Sequence, residues 1–471
     1  MNKYKNLAKN SGLFFIANFG SKIVTFLLVR FYTELLTTEE YGTLDLINTT
    51  VNLAIPIVTL CITEAVLRFS IDDIENRKKI FSLGLMVGIA GNAVFILTAP
   101  LLYHIDFFKD NLFMLYLLTF ANTLYFVCAH FSRGIGKAHI FAMGGFLLTV
   151  LQVGLNILFL LGFSWGVKGY LLALIIAHIF TAAFIFYAAK LYKYIGRSFD
   201  KTYLKSMLKY SLPLIPNSVF WWIMQSSDRY VITLMLSSAD NGIYSVANKI
   251  PSIISTISNI FFQAWQLSSV DEAKSKDKDK FYSEIFNLTA LVLICGSSLV
   301  MIVLQPIYKI LVEESFYMGW QCTPFLMLSM VFSCFSSFFG TNYVAMKKTN
   351  GVFVTTLIGA VVNLSLSLIF TRFFGIRGTS LATAVGFGVT AAVRAFDTRK
   401  FAKISVKVRS FWLPLVIIIV QAALLTANIT SVPLQCVFLA VILVLCRREI
   451  INVCRSMISL GKDFLKRKNQ M

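Results

Sequence analysis

Leu36-Thr-Thr-Glu-Glu-Tyr-Gly42 and Leu236-Ser-Ser-Ala-Asp-Asn-Gly242 stand 200 residues apart, and each opens a hydrophobic segment with polar residues in matching places. Asn48 matches Asn248, and further back Lys9 and Ser11 match Lys209 and Ser211. In the first half Asp45, Thr49, Asn52, Thr59 and Thr63 recur at helical spacing. In the second Ser245, Lys249, Ser252, Thr256, Asn259, Gln263 and Gln266 do the same. The 200-residue shift lays Asp45 on Ser245, Thr49 on Lys249, Asn52 on Ser252, Thr59 on Asn259 and Thr63 on Gln263. Duplicated apolar helices with a shared polar stripe predict two lobes around a water-filled path, the pattern of a transporter built from internal repeats.

The rest of the chain agrees. Its 471 residues are 57% hydrophobic and only 14% charged, against about 25% charged in soluble domains. Apolar runs of membrane-spanning length follow one another, which predicts an all-α polytopic membrane protein and excludes an alternating transmembrane barrel. Fourteen transmembrane helices are expected, near 11–33, 41–69, 80–103, 112–131, 140–163, 169–189, 210–236, 242–267, 282–306, 322–345, 351–371, 378–393, 411–428 and 432–446. The net charge of +20 is a matter of topology rather than of nucleic acid. With the N-terminus placed in the cytoplasm, 33 of the 43 Lys and Arg fall in cytoplasmic segments and 5 in external loops. The positive-inside rule then puts both termini on the cytoplasmic side. The first apolar run contains Lys22 and lacks a small-residue cleavage site, so it is expected to stay as a helix rather than leave as a signal peptide.

Six helices per lobe is an even number, so the two repeats are parallel. The expected division is 1–200 for the first lobe, 201–400 for the second, and 401–471 for two extra helices and a cytoplasmic tail. Gly166-Val-Lys-Gly169 and Gly375-Ile-Arg-Gly378 repeat the approach to the last helix of each lobe. In the tail Ile450, Val453, Met457, Ile458 and Leu465 share a face opposite Arg455, Lys462 and Lys466, which predicts a basic amphipathic helix on the inner leaflet. The eight cysteines contain no Cys-x-x-Cys, the four histidines are scattered, and there is no Walker A or His-Glu-x-x-His motif. No metal or cofactor is expected, and no catalytic residue is identified.

Charges inside the spans ask for a reason, since each costs roughly 2.5–3.5 kcal/mol at the bilayer centre on insertion scales. Lys22, Arg30, Arg229 and Lys249 are such cations, and together they would suit an anion, with guanidinium groups matching phosphate oxygens. Arg30 can alternatively reach the headgroups. Among the acids, Glu64 and Arg68 are four apart and read as a structural ion pair. Asp45 and Asp228 are the candidates for coupling to a proton or sodium ion. Asp228 and Arg229 are adjacent in sequence, so their side chains are not expected to face each other. Asn217, Trp221, Gln225 and Asp228 share one helix face with Ser218, Trp222 and Arg229 beside it, and Trp with amides suits sugar rings. Asn48, Asn52 and Asn248 extend the candidate sugar-binding set. Pro56, Pro213, Pro216 and Pro251 free backbone groups and allow bends.

Two blocks carry a family resemblance. NSGLFFIANFGSKIVTFLLVRFYTELLTTEEYGTLDLINTTVNL (Asn10–Leu53) resembles the opening of Wzx-type bacterial polysaccharide flippases, which share a superfamily with the multidrug and toxin extrusion (MATE) exporters and the lipid II flippases. KYSLPLIPNSVFWWIMQSSDRYVITLMLSSADNGIYSVANKI (Lys209–Ile250) resembles the opening of their second lobe, with Pro213, Pro216, Asp228, Arg229, Gly242, Tyr244, Ala247 and Lys249 at pattern positions. Before Gly375, Asn363 fits the pattern and Ser367 stands where a second asparagine is common. The resemblance implies a V-shaped MATE-like fold, alternating access, and an undecaprenyl-diphosphate-linked oligosaccharide carried from the inner to the outer leaflet of the bacterial cell membrane. Membrane lipids, a coupling ion and the polysaccharide polymerase machinery are the implied partners. A MATE-type drug or cation antiporter is the competing transport reading. A membrane-bound polysaccharide polymerase or ligase is the competing enzyme reading, against which stand the short external loops.

Overall fold

The computed structural model describes residues 28–451, apart from 197–198, 273–274, 276, 347, 349 and 430. Lys22, most of the first predicted helix and the amphipathic tail beyond Ile451 lie outside these residues. Every regular element among the described residues is helical, and the thirteen predicted spans from 41–69 onward each fall on a helix or a helix pair. After helix α1 (28–35) come α2 (Thr38–Val58), α3 (Ile62–Asp72), α4 (Arg77–Ile96), α5 (Ala99–Tyr103), α6 (Asp106–Lys109), α7 (Leu112–Gly134), α8 (Ala138–Asn156) and α9 (Gly166–Ala188). Then follow α10 (Lys201–Ser211), α11 (Leu214–Met235), α12 (Ser238–Ala247), α13 (Lys249–Glu272), α14 (Lys278–Ile302), α15 (Leu304–Leu311), α16 (Thr323–Ala345), α17 (Asn350–Asp397), α18 (Leu413–Thr426) and α19 (Val432–Leu445).

Eight of the described helices are long and apolar enough to cross a membrane, and α2 with α3, bent by 54° at their break, are so when taken as one span. Pro56 lies inside α2, and after it Leu60 and Cys61 both take left-handed backbone at φ 51°. The proline cannot donate to the preceding turn, and the chain restarts as α3 with Cys61 N–H bonded to the Pro56 carbonyl at 2.9 Å. Helix α17 merges two predicted spans. As one straight rod its 48 residues would run about 72 Å, more than twice the roughly 30 Å hydrocarbon core. Gly375, at φ 59° and ψ −145°, breaks it, and a methyl at Gly378 would lie 2.1 Å from the Phe370 carbonyl. The chain therefore folds back there, and Gly386 packs on Asn363.

Residues pack into two units, one within Ala17–Val246 and one from Ala247 on. This packing boundary falls well beyond the repeat boundary expected at 200/201. Side-chain chemistry explains the difference. Met207 of α10 is fully buried in the same core as Ile62, Phe81, Phe131 and Ile185, and the contacts of α11 and α12 with α2 are described below. The extra helices form no separate domain either. Ser298 of α14 donates to Gln421 of α18 at 2.7 Å, and Gln421 donates to Gln435 of α19 at 2.8 Å. This buried amide ladder binds α18 and α19 into the second unit, since lipid offers these groups no alternative partner.

The connector α10 is held by a polar network at the end of α3. Tyr203 Oη donates to Asp73 at 2.8 Å, the Tyr203 N–H donates to Asp200 at 3.0 Å, and Lys79 Nζ meets Asp200 at 3.1 Å. The Asn76 amide and then the Tyr203 hydroxyl lower the pKa of Asp73. The Tyr203 N–H and then Lys79 lower that of Asp200. Lowered carboxylates stabilise the docked form above the ordinary aspartate pKa of about 3.9 and lose that contribution as pH falls through their lowered values. Tyr203→Phe is therefore expected to raise the rate of trypsin cleavage at Lys201 and Lys205 severalfold at neutral pH. Unchanged cleavage kinetics would show that the network does not hold the connector.

Candidate functional site

Asp45 sits on α2 and Asp228 and Arg229 on α11, in helices whose remaining surface is largely apolar. A lone charge in such surroundings is expensive unless paired and hydrogen-bonded. Arg229 Nε meets Asp45 Oδ2 at 2.7 Å and its Nη1 meets Asp228 Oδ1 at 3.1 Å. The same Nη1 donates to the Gln225 carbonyl at 2.9 Å. Tyr244 of α12 donates to Asp228 Oδ2 at 2.6 Å, and the Arg229 N–H donates to Asp228 Oδ1 at 3.0 Å. Asp228 is 2% exposed, Arg229 12% and Asp45 15%, so the guanidinium sits between two carboxylates with little water. Below it Trp222 Nε1 donates to the Thr49 carbonyl at 2.9 Å. Thr50 and Tyr230 hydroxyls bond to each other, and Tyr230 packs edge-on to Trp222 with centroids 5.5 Å apart.

Several sequence expectations change here. Asp228 and Arg229 do interact, although adjacent on a helix, because the long arginine side chain turns back while Asp228 also caps the Arg229 N–H. The pairing of Arg68 runs forward to Asp72 at 3.1 Å rather than back to Glu64. Both acids lie four residues away, and the arginine takes the one at the end of α3. Asp45 and Asp228 are not isolated carboxylates, since Arg229 neutralises part of both. Arg30 pairs with Glu34 at 2.6 Å in an exposed position. The α2 stripe is mostly taken up by packing. Thr49, Thr59 and Thr63 are buried, Thr59 bonds to its own helix at Ile55, and Asn52 is exposed.

The other candidates are dispersed. Asn48 is half-buried and donates to the Leu44 carbonyl at 2.9 Å. Trp221 is half-buried and the Gln225 side chain is exposed. Asn248 and Lys249 are half-buried and belong to the second unit. Two groups carry more than the sequence pattern assigns them. Tyr244, a pattern position, holds Asp228. Arg394, one residue beyond the span expected at 378–393, is 1% exposed and is held by Thr355 at 2.9 Å, Ser336 at 3.0 Å and Thr356 at 2.8 Å. Asn363 and Ser367, one turn apart on α17, are fully buried, and both amide atoms of Asn363 and the Ser367 hydroxyl have no hydrogen-bond partner. Among the described residues no group of His, Cys, Asp and Glu is arranged to hold a metal ion.

The bent and kinked spans, the buried ion cluster and the two packed units define a polytopic helical protein of the kind that includes membrane transporters. The sequence model described as polysaccharide biosynthesis protein matches residues 7–266, and the chain belongs to that family. No curated protein matches its sequence. Among solved structures it is similar to the lipid II flippase MurJ in an inward closed conformation, with a TM-score of 0.72 and 13% identity over 94% of this chain and 99% of that one. A Vibrio cholerae MATE transporter, VcmN, determined as a mutant, gives 0.60 at 12% identity over 84% and 98%. An inward-facing multidrug resistance MATE family transporter of the MOP superfamily gives 0.62 at 14% over 84% and 93%. At these identities the likeness shows a shared fold, MATE-like as the sequence implied.

Removing the Tyr244 hydroxyl takes a donor from a buried carboxylate, which costs about 1.5–3 kcal/mol. Tyr244→Phe is expected to lower the melting midpoint in detergent clearly. Asn52→Ala, at an exposed position, should stay within about 0.5 kcal/mol of the parent. Equal midpoints for the two variants would contradict the role given to the ion cluster.

Proposed function

We propose that the protein is a flippase that moves an undecaprenyl-diphosphate-linked oligosaccharide from the inner to the outer leaflet of a bacterial cell membrane by alternating access, for cell-surface polysaccharide synthesis. The observation that carries this reading is the conjunction of family and fold. A member of the polysaccharide biosynthesis protein family takes, over 94% of its length, the fold of a protein titled a lipid II flippase. The charge pattern supports it. The diphosphate would be met by Lys22, Arg30, Arg229 and Lys249. Sugars would be met by Asn48, Asn52, Trp221, Trp222, Gln225 and Asn248, with the polyprenyl chain left in lipid. Guanidinium groups offer the forked donors that phosphate oxygens take.

Arg229 is already shared by Asp45 and Asp228, so a diphosphate reaching it must compete with carboxylates. That arrangement gives the two acids a place in energetics. Without a nucleotide site, the cycle would run on the cargo gradient, on a proton or sodium gradient entering through Asp45 and Asp228, or on both. A MATE-type drug or cation antiporter is the second reading, favoured by one observation: two carboxylates around a single guanidinium leave the cluster with an excess of negative charge.

The test is transfer of a fluorescent polyprenyl-diphosphate oligosaccharide across reconstituted vesicles. The parent should move it faster than protein-free vesicles. Lys22→Ala should reduce the rate at least tenfold with unchanged yield and monodispersity. Arg229→Lys, which keeps the charge but loses the fork, should reduce it less than Arg229→Ala. Transport of organic cations but not of the lipid-linked sugar would favour the antiporter.

A further inference from the structure

The second unit carries a pocket lined by none of the residues assigned to cargo. The start of α14, the end of α16 and the turn after α17 form it, with Lys278 and Tyr282 from the first, Asn342 and Met346 from the second, and Phe401 from the third. The basic stretches beside these ends, around Lys278, Lys348 and Arg399-Lys400, lie on the face that the positive-inside rule assigns to the cytoplasm. The pocket spans about 190 Å³ counting its open side, and its inner part takes one water-sized atom. Asn342 is the unusual group in its wall. It is 1% exposed, and neither its amide nitrogen nor its amide oxygen has a hydrogen-bond partner. Leaving such a buried atom unsatisfied costs about 1–3 kcal/mol, and such atoms are few in folded proteins. The residues beside Asn342 are provided for. Thr341 accepts from Trp265 Nε1 at 2.9 Å, and Tyr343 donates to Asp397 at 2.6 Å. Tyr282 donates its hydroxyl proton to the Ser269 carbonyl at 2.6 Å, so that proton does not serve the amide oxygen.

Charge decides what the pocket takes. Among the described residues that line it there is one ammonium, that of Lys278, and no carboxylate, which disfavours a cation. The Phe401 ring in its wall has the ammonium of Lys400 at 5.1 Å and that of Lys348 at 5.6 Å from its centroid. Three acids stand nearby without lining the pocket. Asp397 accepts from Lys400 at 2.7 Å as well as from Tyr343, Asp279 accepts from the Lys403 N–H at 3.2 Å, and Glu272 of α13 lies near Tyr282. An amide NH₂ and ammonium groups about a recess of one-atom width suit an oxyanion that sets one oxygen inside and leaves the others to the lysines.

We propose that this pocket binds a phosphate group, free or in the headgroup of an inner-leaflet lipid, with Asn342 and Lys278 as its ligands, and that the bound phosphate ties the start of α14 to the end of α16 and the turn after α17. The test is the thermal unfolding midpoint of the full chain in detergent. Two probes are used: inorganic phosphate, against sodium chloride of equal ionic strength, and dihexanoyl phosphatidic acid, against dihexanoylglycerol. At tenfold excess over Kd the binding probe should raise the parent midpoint by about 2 °C. A rise with the lipid alone makes the headgroup the source, and a rise with inorganic phosphate makes the free anion sufficient. Asn342→Leu replaces the unsatisfied amide by an apolar group of similar size, so its ligand-free midpoint should equal or exceed that of the parent and the shift should vanish. Lys278→Gln should at least halve the shift. If Asn342→Leu does not fold, Lys278→Gln alone decides. A parent midpoint that neither probe moves, or a shift that either folded variant keeps in full, overturns the site. Transfer of lipid-linked sugar does not enter this readout, so the flippase reading stands or falls separately.

Discussion

One guanidinium holds three helices in register. Arg229 leaves α11 to reach Asp45 on α2, and Asp228 beside it takes the hydroxyl of Tyr244 on α12. In a low-dielectric interior none of these groups tolerates separation without water, since removing one partner of a buried pair leaves an uncompensated charge. The cluster is thus weak evidence for stability in the absolute sense and strong evidence for specificity. It tells α11 and the start of α12 which helix to lie on. The boundary between the compact units follows from it, because the chain as far as Val246 is bound to α2 by these bonds, by Trp222 on the Thr49 carbonyl and by the close approach of Gly42 to the Ser238 carbonyl.

The same economy recurs wherever this chain packs inside the membrane. Hydroxyls and amides do the joining: the Ser298, Gln421 and Gln435 ladder in the second unit, and the Ser336, Thr355 and Thr356 cradle around Arg394. Helices in lipid gain little from burying apolar surface against one another, and association depends on close packing and on such bonds. The glycines serve the close packing, most plainly at the α2–α12 crossing and where Gly386 meets Asn363.

The helices and their breaks were legible in the sequence because they depend on local chemistry. Apolar length marked the spans, Pro56 the bend after α2, and Gly375 the reversal within α17. The repeat itself pointed to Asp45, Arg229 and Gly242. What could not be read was how side chains are shared. Helical geometry puts adjacent residues on different bearings, yet the length of arginine lets Arg229 reach back to Asp228. Arg68 has acids four residues away on both sides, and periodicity cannot choose between Glu64 and Asp72. Arg394 stands one residue beyond the span expected at 378–393, where a charge usually meets water, and only the tertiary arrangement of hydroxyls shows why it is buried. Arg30 suits an anion or the headgroups by charge and depth alone, and its pairing with Glu34, one turn on, is seen only in the structure.

A double-mutant cycle on Asp45 and Arg229 in the purified protein tests the central claim most directly. The midpoints of thermal unfolding would be compared for the parent, Asp45→Ala, Arg229→Ala and the double variant. If the pair fixes α2 to α11, the two losses are strongly coupled, by more than about 1 kcal/mol, and the double variant is little worse than Arg229→Ala alone. Losses that simply add would mean that the two groups act independently and that the cluster does not hold these helices together.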